Sequence, residues 1–509
     1  MSTLREKLEK NPWMGWLLFG LTVVVVFLLG LLASTIVERR AEALYAYTPQ
    51  VELSEFEPRN DQWGKNFPRQ YQSFLETSDT SFKSKYNGNA MIDMLEVDPR
   101  MAVLWAGYSF SKDYTQARGH IYAIEDIRTT LRTGAPTGPD EGPMPNTCWT
   151  CKGPDVPRLM SEVGVADFYK GRWASRGAQI VNPVGCADCH DPETMNLRIT
   201  RPALIEAFER RGKDVTLASH QEMRSLVCAQ CHVEYYFKGD TNYLAHPWDN
   251  GFKAEEMEEY YDKIEFSDWT HALSRAPMLK AQHPGYEIYI TGIHADRGVS
   301  CADCHMPYKT EGGIKFTDHH IRSPLDNVAN SCQVCHSEET DKLVANVYQR
   351  QDQVIKNRNQ LERLIVRAHV EAEKAWELGA TESEMEEILT AIRHAQWRWD
   401  YSAASHGASF HSPVEISRTL GTAIVIIQEG RIKLARLLLN KGFTGTVPYP
   451  DIPTKSKAQQ FIGLDMDALH AEKEEFMNTM VVRWDSIARE RHQAWDQPED
   501  PEASDEIFN

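Results

Sequence analysis

Hydrophobic positions divide the chain into three textures. Residues Trp16 to Val37 form an apolar run of roughly 22 residues without a charge, long enough at ~1.5 Å per residue to cross a bilayer as one helix. From 44 to about 340 no long periodic stretch occurs and turn residues are frequent, which predicts short helices and little sheet. After about Asp341 the pattern becomes helical. The proline-free stretch from Leu343 through Leu378 predicts one long helix, followed by helices over Glu382–Ser405, Pro413–Asn440 and Asp465–Trp495. Gly379-Ala380-Thr381 and Ser412-Pro413 supply the stop and start signals between them. The fold class expected is therefore mainly α, with little β and long C-terminal helices suited to packing against a second copy.

Charge narrows the function classes. The chain has 55 Lys and Arg against 73 Asp and Glu, a formal charge of −18, which argues against nucleic-acid binding and for an acidic surface able to meet a basic partner. Arg5, Lys7 and Lys10 precede the apolar run and Glu38, Arg39 and Arg40 follow it, too even a distribution to orient it by the positive-inside rule. Ala33-Ser34-Thr35 can be read as a cleavage region, making the run a removed signal; an uncleaved anchor is the favoured reading.

The cysteines carry the chemistry. All ten fall into five C-x-x-C pairs: Cys148/Cys151, Cys186/Cys189, Cys228/Cys231, Cys301/Cys304 and Cys332/Cys335. In four pairs the next residue is histidine: His190, His232, His305 and His336. This is the attachment motif of c-type haem, in which two thiols add to one porphyrin and the adjoining imidazole becomes the proximal iron ligand. Zinc knuckles, disulfides and redox dithiols are common explanations of a single pair. With 18 histidines in the chain, four such coincidences have odds on the order of one in a million. Haem is attached on the oxidising side of the membrane, which puts the bulk of the chain on the periplasmic side of the cytoplasmic membrane.

The fifth pair differs. Cys148-Trp149-Thr150-Cys151 is followed by Lys152, whose amine would replace the histidine on a fifth haem and must lose its proton to do so; a disulfide with Lys152 as a surface charge is the alternative. An iron with protein ligands on both faces passes electrons, whereas one with an open face also binds a substrate. Fourteen further histidines suffice to saturate four haems, and His120, His283, His294, His319, His320, His406 and His411 sit where ligands are easily presented. Counting alone does not say which faces which iron. The Trp397-Arg398-Trp399 cluster reads as core packing before haem lining.

At this point the sequence resembles cytochrome c nitrite reductase, the ammonia-forming pentahaem family, over roughly residues 60 to 440. The resemblance is carried by C-W-T-C-K preceded by Leu131-Arg132-Thr133-Gly134-Ala135-Pro136, by Cys228-Ala-Gln-Cys-His-Val-Glu-Tyr-Tyr-Phe237, by Lys280-Ala281-Gln282-His283-Pro284 and by Thr317-Asp318-His319. It implies a haem-packed, mostly helical fold: residues 1–43 a cytoplasmic stub with the anchor or signal, 44–340 the pentahaem catalytic region, and 341–509 the dimerising long helices. It implies nitrite reduction to ammonium at a Lys152-ligated haem with Arg132, Tyr235 and His283 in the distal pocket, fed by four bis-histidine haems. His120, His294, His319 and His411 would be the distal ligands, with His320 and His406 as neighbouring alternatives for the last two. It also implies calcium held by the Glu234 and Gln282 side chains and the Tyr235 and Lys280 carbonyls, oxygen donors suited to a hard cation. The implied electron donor is a membrane tetrahaem quinol-oxidising cytochrome, or else a soluble multihaem cytochrome. Other classes remain: a conductor with no substrate, which predicts five saturated haems, or a sulfite- or hydroxylamine-active oxidoreductase.

Overall fold

The computed structural model describes residues 10–45 and 49–496; of the stub and anchor expected at 1–43, residues 1–9 lie outside the described residues. The chain divides into two units, residues 1–52 and 53–509. In the first, helix α1 (Pro12–Tyr45) contains a span from Pro12 to Arg39 with mean hydropathy 2.7 and no buried positions. Two of its hydroxyls bond back to their own helix, Thr22 Oγ1 to Leu18 O and Thr35 Oγ1 to Leu32 O, so neither needs a partner in an apolar surrounding.

The second unit is mainly α. Its strands, among the described residues, form four two-stranded antiparallel ladders, the longest Tyr308–Glu311 with Ile314–Thr317. Between residues 60 and 340 the helices are short. Several begin on a polar cap: Ser219 and Glu222 form a capping box at the start of α2 (His220–Ala229), where the Ser219 Oγ accepts from Glu222 N and the Glu222 carboxylate accepts from Ser219 N.

Three long helices follow, α3 (Thr340–Glu377), α4 (Glu382–Ala404) and α5 (Pro413–Asn440). They pack on one another through stripes at helical spacing: Leu361, Ile365, Ala368 and Ala372 on α3, Ile388, Ile392, Ala395 and Trp399 on α4, and Ile416, Leu420, Ala423 and Ile427 on α5, all buried. Each buried Leu or Ile contributes roughly 1.5–3 kcal/mol. The breaks fall where the sequence signals stand. Gly379 has φ +80°, a conformation few other residues adopt cheaply, and Thr381 with Glu384 caps α4. Pro413 opens α5. Gly430 lets α4 and α5 close up, since an added Cβ would lie 2.7 Å from Ala391 Cβ.

The final expected helix is interrupted. Its parts are α6 (Met466–Phe476), a wide π turn over Met477–Val481, and α7 (Val482–Trp495). Phe476 and Val481 are five residues apart and Trp484 three further on, yet all three are buried in one aromatic cluster. A five-residue turn puts them on the same face, which a regular α-helix would not. Trp397 and Trp399 are fully buried core residues, Trp397 Nε1 donating to Ala254 O and Trp399 Nε1 to Glu362 Oε1.

His271 and His369 stack inside this core, ring centroids 3.5 Å apart at 11°. His271 Nε2 lies 2.9 Å from Val103 O, and His369 is held between Ser274 Oγ at 2.8 Å and Gln396 Oε1 at 2.7 Å. Burial lowers His369 to about 4 and His271 further, the neighbouring His369 adding repulsion to any charge on His271. The folded state therefore refuses protons that the unfolded histidines accept at ~6.5. The pair's contribution is intact above that value and is lost as pH falls through it toward 4. His369→Gln should make the melting temperature less steeply dependent on pH between 6.5 and 4.5 while lowering it at pH 7.5; an unchanged slope would mean that the pair does not govern acid lability.

Candidate functional site

Four of the C-x-x-C pairs sit on short turns and Cys228/Cys231 at the end of α2; two pairs are capped by an intervening residue. In Cys186-Ala187-Asp188-Cys189 the Asp188 carboxylate accepts from Gly185 N at 2.9 Å, and in Cys301-Ala302-Asp303-Cys304 the Asp303 carboxylate accepts from Ser300 N at 2.7 Å. All ten cysteines are free, so Cys148 and Cys151 are not a disulfide. The pairs are also near neighbours, Cys151 beside Cys231 and Cys228 beside Cys301.

Cys335 differs from the other nine cysteines in exposure. Nine of the cysteines are half-buried, but Cys335 is exposed, as are Val334, His336 and Ser337 around it. The reason is its place in the chain. The turn Cys332–His336 is backed on one side by buried Val328 and Ser331, and on the other it runs straight into the solvent-facing first turn of α3.

Each motif histidine faces a second imidazole. Ring centroids are 6.2 Å apart for His232 and His120, 6.2 Å for His190 and His319, 6.2 Å for His305 and His411, and 6.3 Å for His336 and His294. Two imidazoles bonded to one metal at ~2.0 Å, with each centroid ~1.1 Å behind its nitrogen, would be about 6.2 Å apart. The fit to an iron between each pair is therefore close. Three of these rings have Nδ1 against a carbonyl, His190 on Met195 O, His305 on Arg322 O and His319 on Thr317 O, at 2.8–2.9 Å. That bond fixes the proton on Nδ1 and leaves the Nε2 lone pair available to a metal. His320 and His406 are not in these pairs: His320 Nδ1 lies 3.6 Å from Glu76 and the His406 ring packs on Tyr114. Gly407 and Gly292 give His411 its room, since a Cβ on Gly407 would strike its ring and one on Gly292 its carbonyl.

Around Cys148 and Cys151 a different set gathers. Lys152 and Arg132 both act electrostatically on Cys148, Tyr235 lies against Cys148 and Cys151, and Lys152 acts on His283. Arg132 sits on a single helical turn, Leu131–Thr133, its Nε donating to Thr130 Oγ1 at 3.2 Å and its guanidinium 4.6 Å over Phe110. The His283 ring is 4.5 Å from that of His232. Burial lowers His283 to about 4, Lys152 and Lys280 pushing the same way, which favours its neutral form as an N–H donor. Burial raises Tyr235 well above the usual phenol range and keeps its proton in place.

Beside them lies an oxygen-rich cluster. Glu234 is fully buried, one carboxylate oxygen accepting from Tyr261 OH at 3.0 Å and the other from Gln282 N at 2.6 Å, and the Gln282 amide lies 3.3 Å from Lys280 O. Burial pushes Glu234 well above the carboxylate range, and Glu287 and Asp268 add repulsion. A hard cation would relieve that cost, so these oxygens fit one chemically. The Lys280 side chain is otherwise engaged, its Nζ 2.8 Å from buried Asp400.

Arg201, outside every motif, ties the motifs together through Asp188 and Gln230, which lie inside two of them. Buried Arg201 donates from Nε to Thr150 O at 2.7 Å and from one terminal nitrogen to Gly153 O at 3.0 Å and Asp188 Oδ1 at 2.6 Å. Gln230, inside Cys228-Ala-Gln-Cys231, accepts from Arg201 N and donates to Asp188 O. Three C-x-x-C turns are thus cross-linked. The segment is also stacked, the Trp149 ring 4.9 Å from Trp173 at 9°, and Gly153 is obligatory because a Cβ there would lie 1.9 Å from Asn182 O. The repeated C-A-D-C was the one available signal for Asp188.

Removing Arg201 leaves Asp188 buried without its partner, a change that typically costs ~3–5 kcal/mol. Arg201→Met should lower both the melting temperature and the haem content per chain; a variant with full haem content and wild-type melting would show the cross-link to be dispensable.

The cytochrome c552 family model matches residues 59–494. Cytochrome c-552 of Parabacteroides distasonis is 58% identical over 488 residues, covering 96% of this chain and 99% of that one. The same-named protein of Porphyromonas gingivalis is 58% identical over 486 residues, covering 95% and 97%. Among solved structures, the catalytic subunit of cytochrome c nitrite reductase from Desulfovibrio desulfuricans, which has two calcium sites, superposes with a TM-score of 0.73 at 31% identity, over 78% of this chain and 90% of that chain. With the family's model spanning the whole haem-attachment region and identity above half across nearly the full length, this chain belongs to the cytochrome c552 family.

Proposed function

We propose that this protein reduces nitrite to ammonium at a haem c attached through Cys148 and Cys151 and ligated by Lys152, with four further haems, each between two histidines, carrying the electrons. The observation that carries the reading is an asymmetry among otherwise similar sites. Four C-x-x-C-H turns have a second imidazole at 6.2–6.3 Å, whereas the C-W-T-C-K turn has Lys152 and, around its cysteines, Arg132, Tyr235 and His283. The nitrite reductase from D. desulfuricans, alike in fold at 31% identity, supports the same chemistry.

When bound, a haem with one protein ligand supplies an open coordination position and electrons. The chain's own residues do the rest. Arg132, charged and half-buried, would bond the nitrite oxygens and draw the anion in against the acidic exterior. His283 would donate a neutral N–H to the same oxygens, weakening the N–O bonds. Tyr235, holding its proton, would donate from its hydroxyl and pass on protons as oxygen leaves as water. In balance, nitrite takes up six electrons and eight protons and gives ammonium and two waters.

Calcium beside this site, on Glu234, Gln282 and the Tyr235 and Lys280 carbonyls, would neutralise the buried Glu234 and fix the backbone on which Tyr235 and His283 stand. The exposed apolar residues Val425, Ile432 and Leu439 recur every seven positions along α5, a seam suited to the same helix of a second copy. α1 would hold the protein on the periplasmic side of the membrane, near a quinol-oxidising multihaem cytochrome as electron donor.

Purified protein should oxidise reduced viologen with nitrite and form ammonium, and should oxidise it more slowly or not at all with sulfite; absence of ammonium from nitrite would overturn the proposal. Lys152→Ala should leave the remaining haems attached and depress turnover at least about a hundredfold. Ile432→Glu should shift the protein from dimer to monomer in analytical ultracentrifugation, and an unchanged mass would move the interface elsewhere.

A further inference from the structure

We propose that Lys473, on α6, is a positioning residue for the nitrite site, clamping the turn that carries Arg132. The inference rests on the nitrite-reducing reading above and extends the site to the last helices of the chain. Lys473 is buried, 6% exposed. Its Nζ donates to Thr133 Oγ1 at 2.9 Å and to Gly134 O at 2.7 Å, the two residues that follow Arg132. No ion pair involving it occurs among the described residues; the ammonium instead lies 4.6 Å over the Phe476 ring and 6.0 Å over Trp173.

An ammonium buried with only neutral acceptors is costly to keep. Burial accordingly lowers Lys473 to about 7, with Asp113 pulling the other way. A methionine would fill the same space without that cost, so what the lysine adds is its two donated bonds. They close the downstream side of the Arg132 turn. The upstream side is closed by Asp113, whose Oδ2 accepts from Thr130 Oγ1 at 2.7 Å and Leu131 N at 3.2 Å. Between these clamps Thr133 Oγ1 donates to Thr130 O at 3.0 Å, and Gly134 leaves the turn at φ +70°. Arg132 thus stands on a backbone fixed on both sides, while its Nε holds Thr130 Oγ1. The same cluster supports the lysine-bearing segment, since Phe476 and Trp484 pack on Trp173, which stacks on Trp149.

The test uses the purified holoprotein. Lys473→Met keeps length and apolar contact but removes both donors; Thr133→Val removes one acceptor from the other side. Nitrite affinity is read by optical titration and KM, hydroxylamine KM serves as the uncharged comparison, and haem content and melting temperature report on the fold. In both variants nitrite Kd and KM should rise about tenfold, since a displaced Arg132 loses a charge-assisted bond to an anion. Hydroxylamine KM should stay within about twofold and haem content should be unchanged. Lys473→Arg should recover most of the nitrite affinity. Nitrite binding within about twofold of wild type in both variants, or equal losses for nitrite and hydroxylamine, would overturn the proposal. If Lys473→Met does not fold, Thr133→Val alone decides. A wild-type protein that neither binds nor reduces nitrite would refute the function itself, before any variant is compared.

Discussion

Two imidazoles 6.2 Å apart leave room for a metal between them and for little else. Four such pairs, linking residues as distant in sequence as His120 with His232 and His305 with His411, set a demand that regular secondary structure meets poorly. A flat rigid group needs walls on both faces and a ligand at each centre, so the chain between residues 60 and 340 is cut into short turns, each delivering one or two side chains. Backbone order there comes from specific polar cross-links. Asp188 caps its own turn, pairs with Arg201, and through Arg201 and Gln230 ties three attachment turns together.

The long helices answer a different constraint. They bury their own apolar stripes and present, on α5, a seam left open to solvent. Their continuation does more than pack. The wide turn at Met477–Val481 rotates the last helix so that Trp484 and Phe476 reach the Trp173–Trp149 stack behind the lysine-bearing turn. The C-terminal helices thereby reach the lysine-bearing turn, and stability there and geometry at Arg132 are expressions of the same packing.

Much of this was legible in the sequence where the chemistry is local. The attachment motifs are read from spacing because two thiols and one imidazole must reach one porphyrin. Spacing says nothing of enclosure, so the exposure of Cys335, set by where its turn meets α3, could not be read from it. α5 runs from Pro413 to Asn440 as its proline start and apolar period predict, and α4 ends one residue short of the expected Ser405. The facing histidines were different: composition offered more candidates than sites, and only the family resemblance picked His120, His294, His319 and His411, the rings found opposite the motif histidines. Arg201 and Lys473 stayed invisible. Arg201 bonds a carbonyl 51 residues away and Lys473 a hydroxyl 340 residues away, and a single basic residue at the start of a helix or along one reads as a solvated charge. The π turn was hidden for the opposite reason, since a five-residue step in an otherwise helical pattern looks like noise in the period.

In the proposed reaction one iron differs from its companions in what lies on its two sides. Low-temperature electron paramagnetic resonance on the oxidised protein, with spin quantified against total haem, tests it most directly. One high-spin centre beside a set of low-spin bis-histidine centres is the result this account requires, with the high-spin signal responding to added nitrite. A spectrum in which every iron is low-spin and indifferent to nitrite would contradict it.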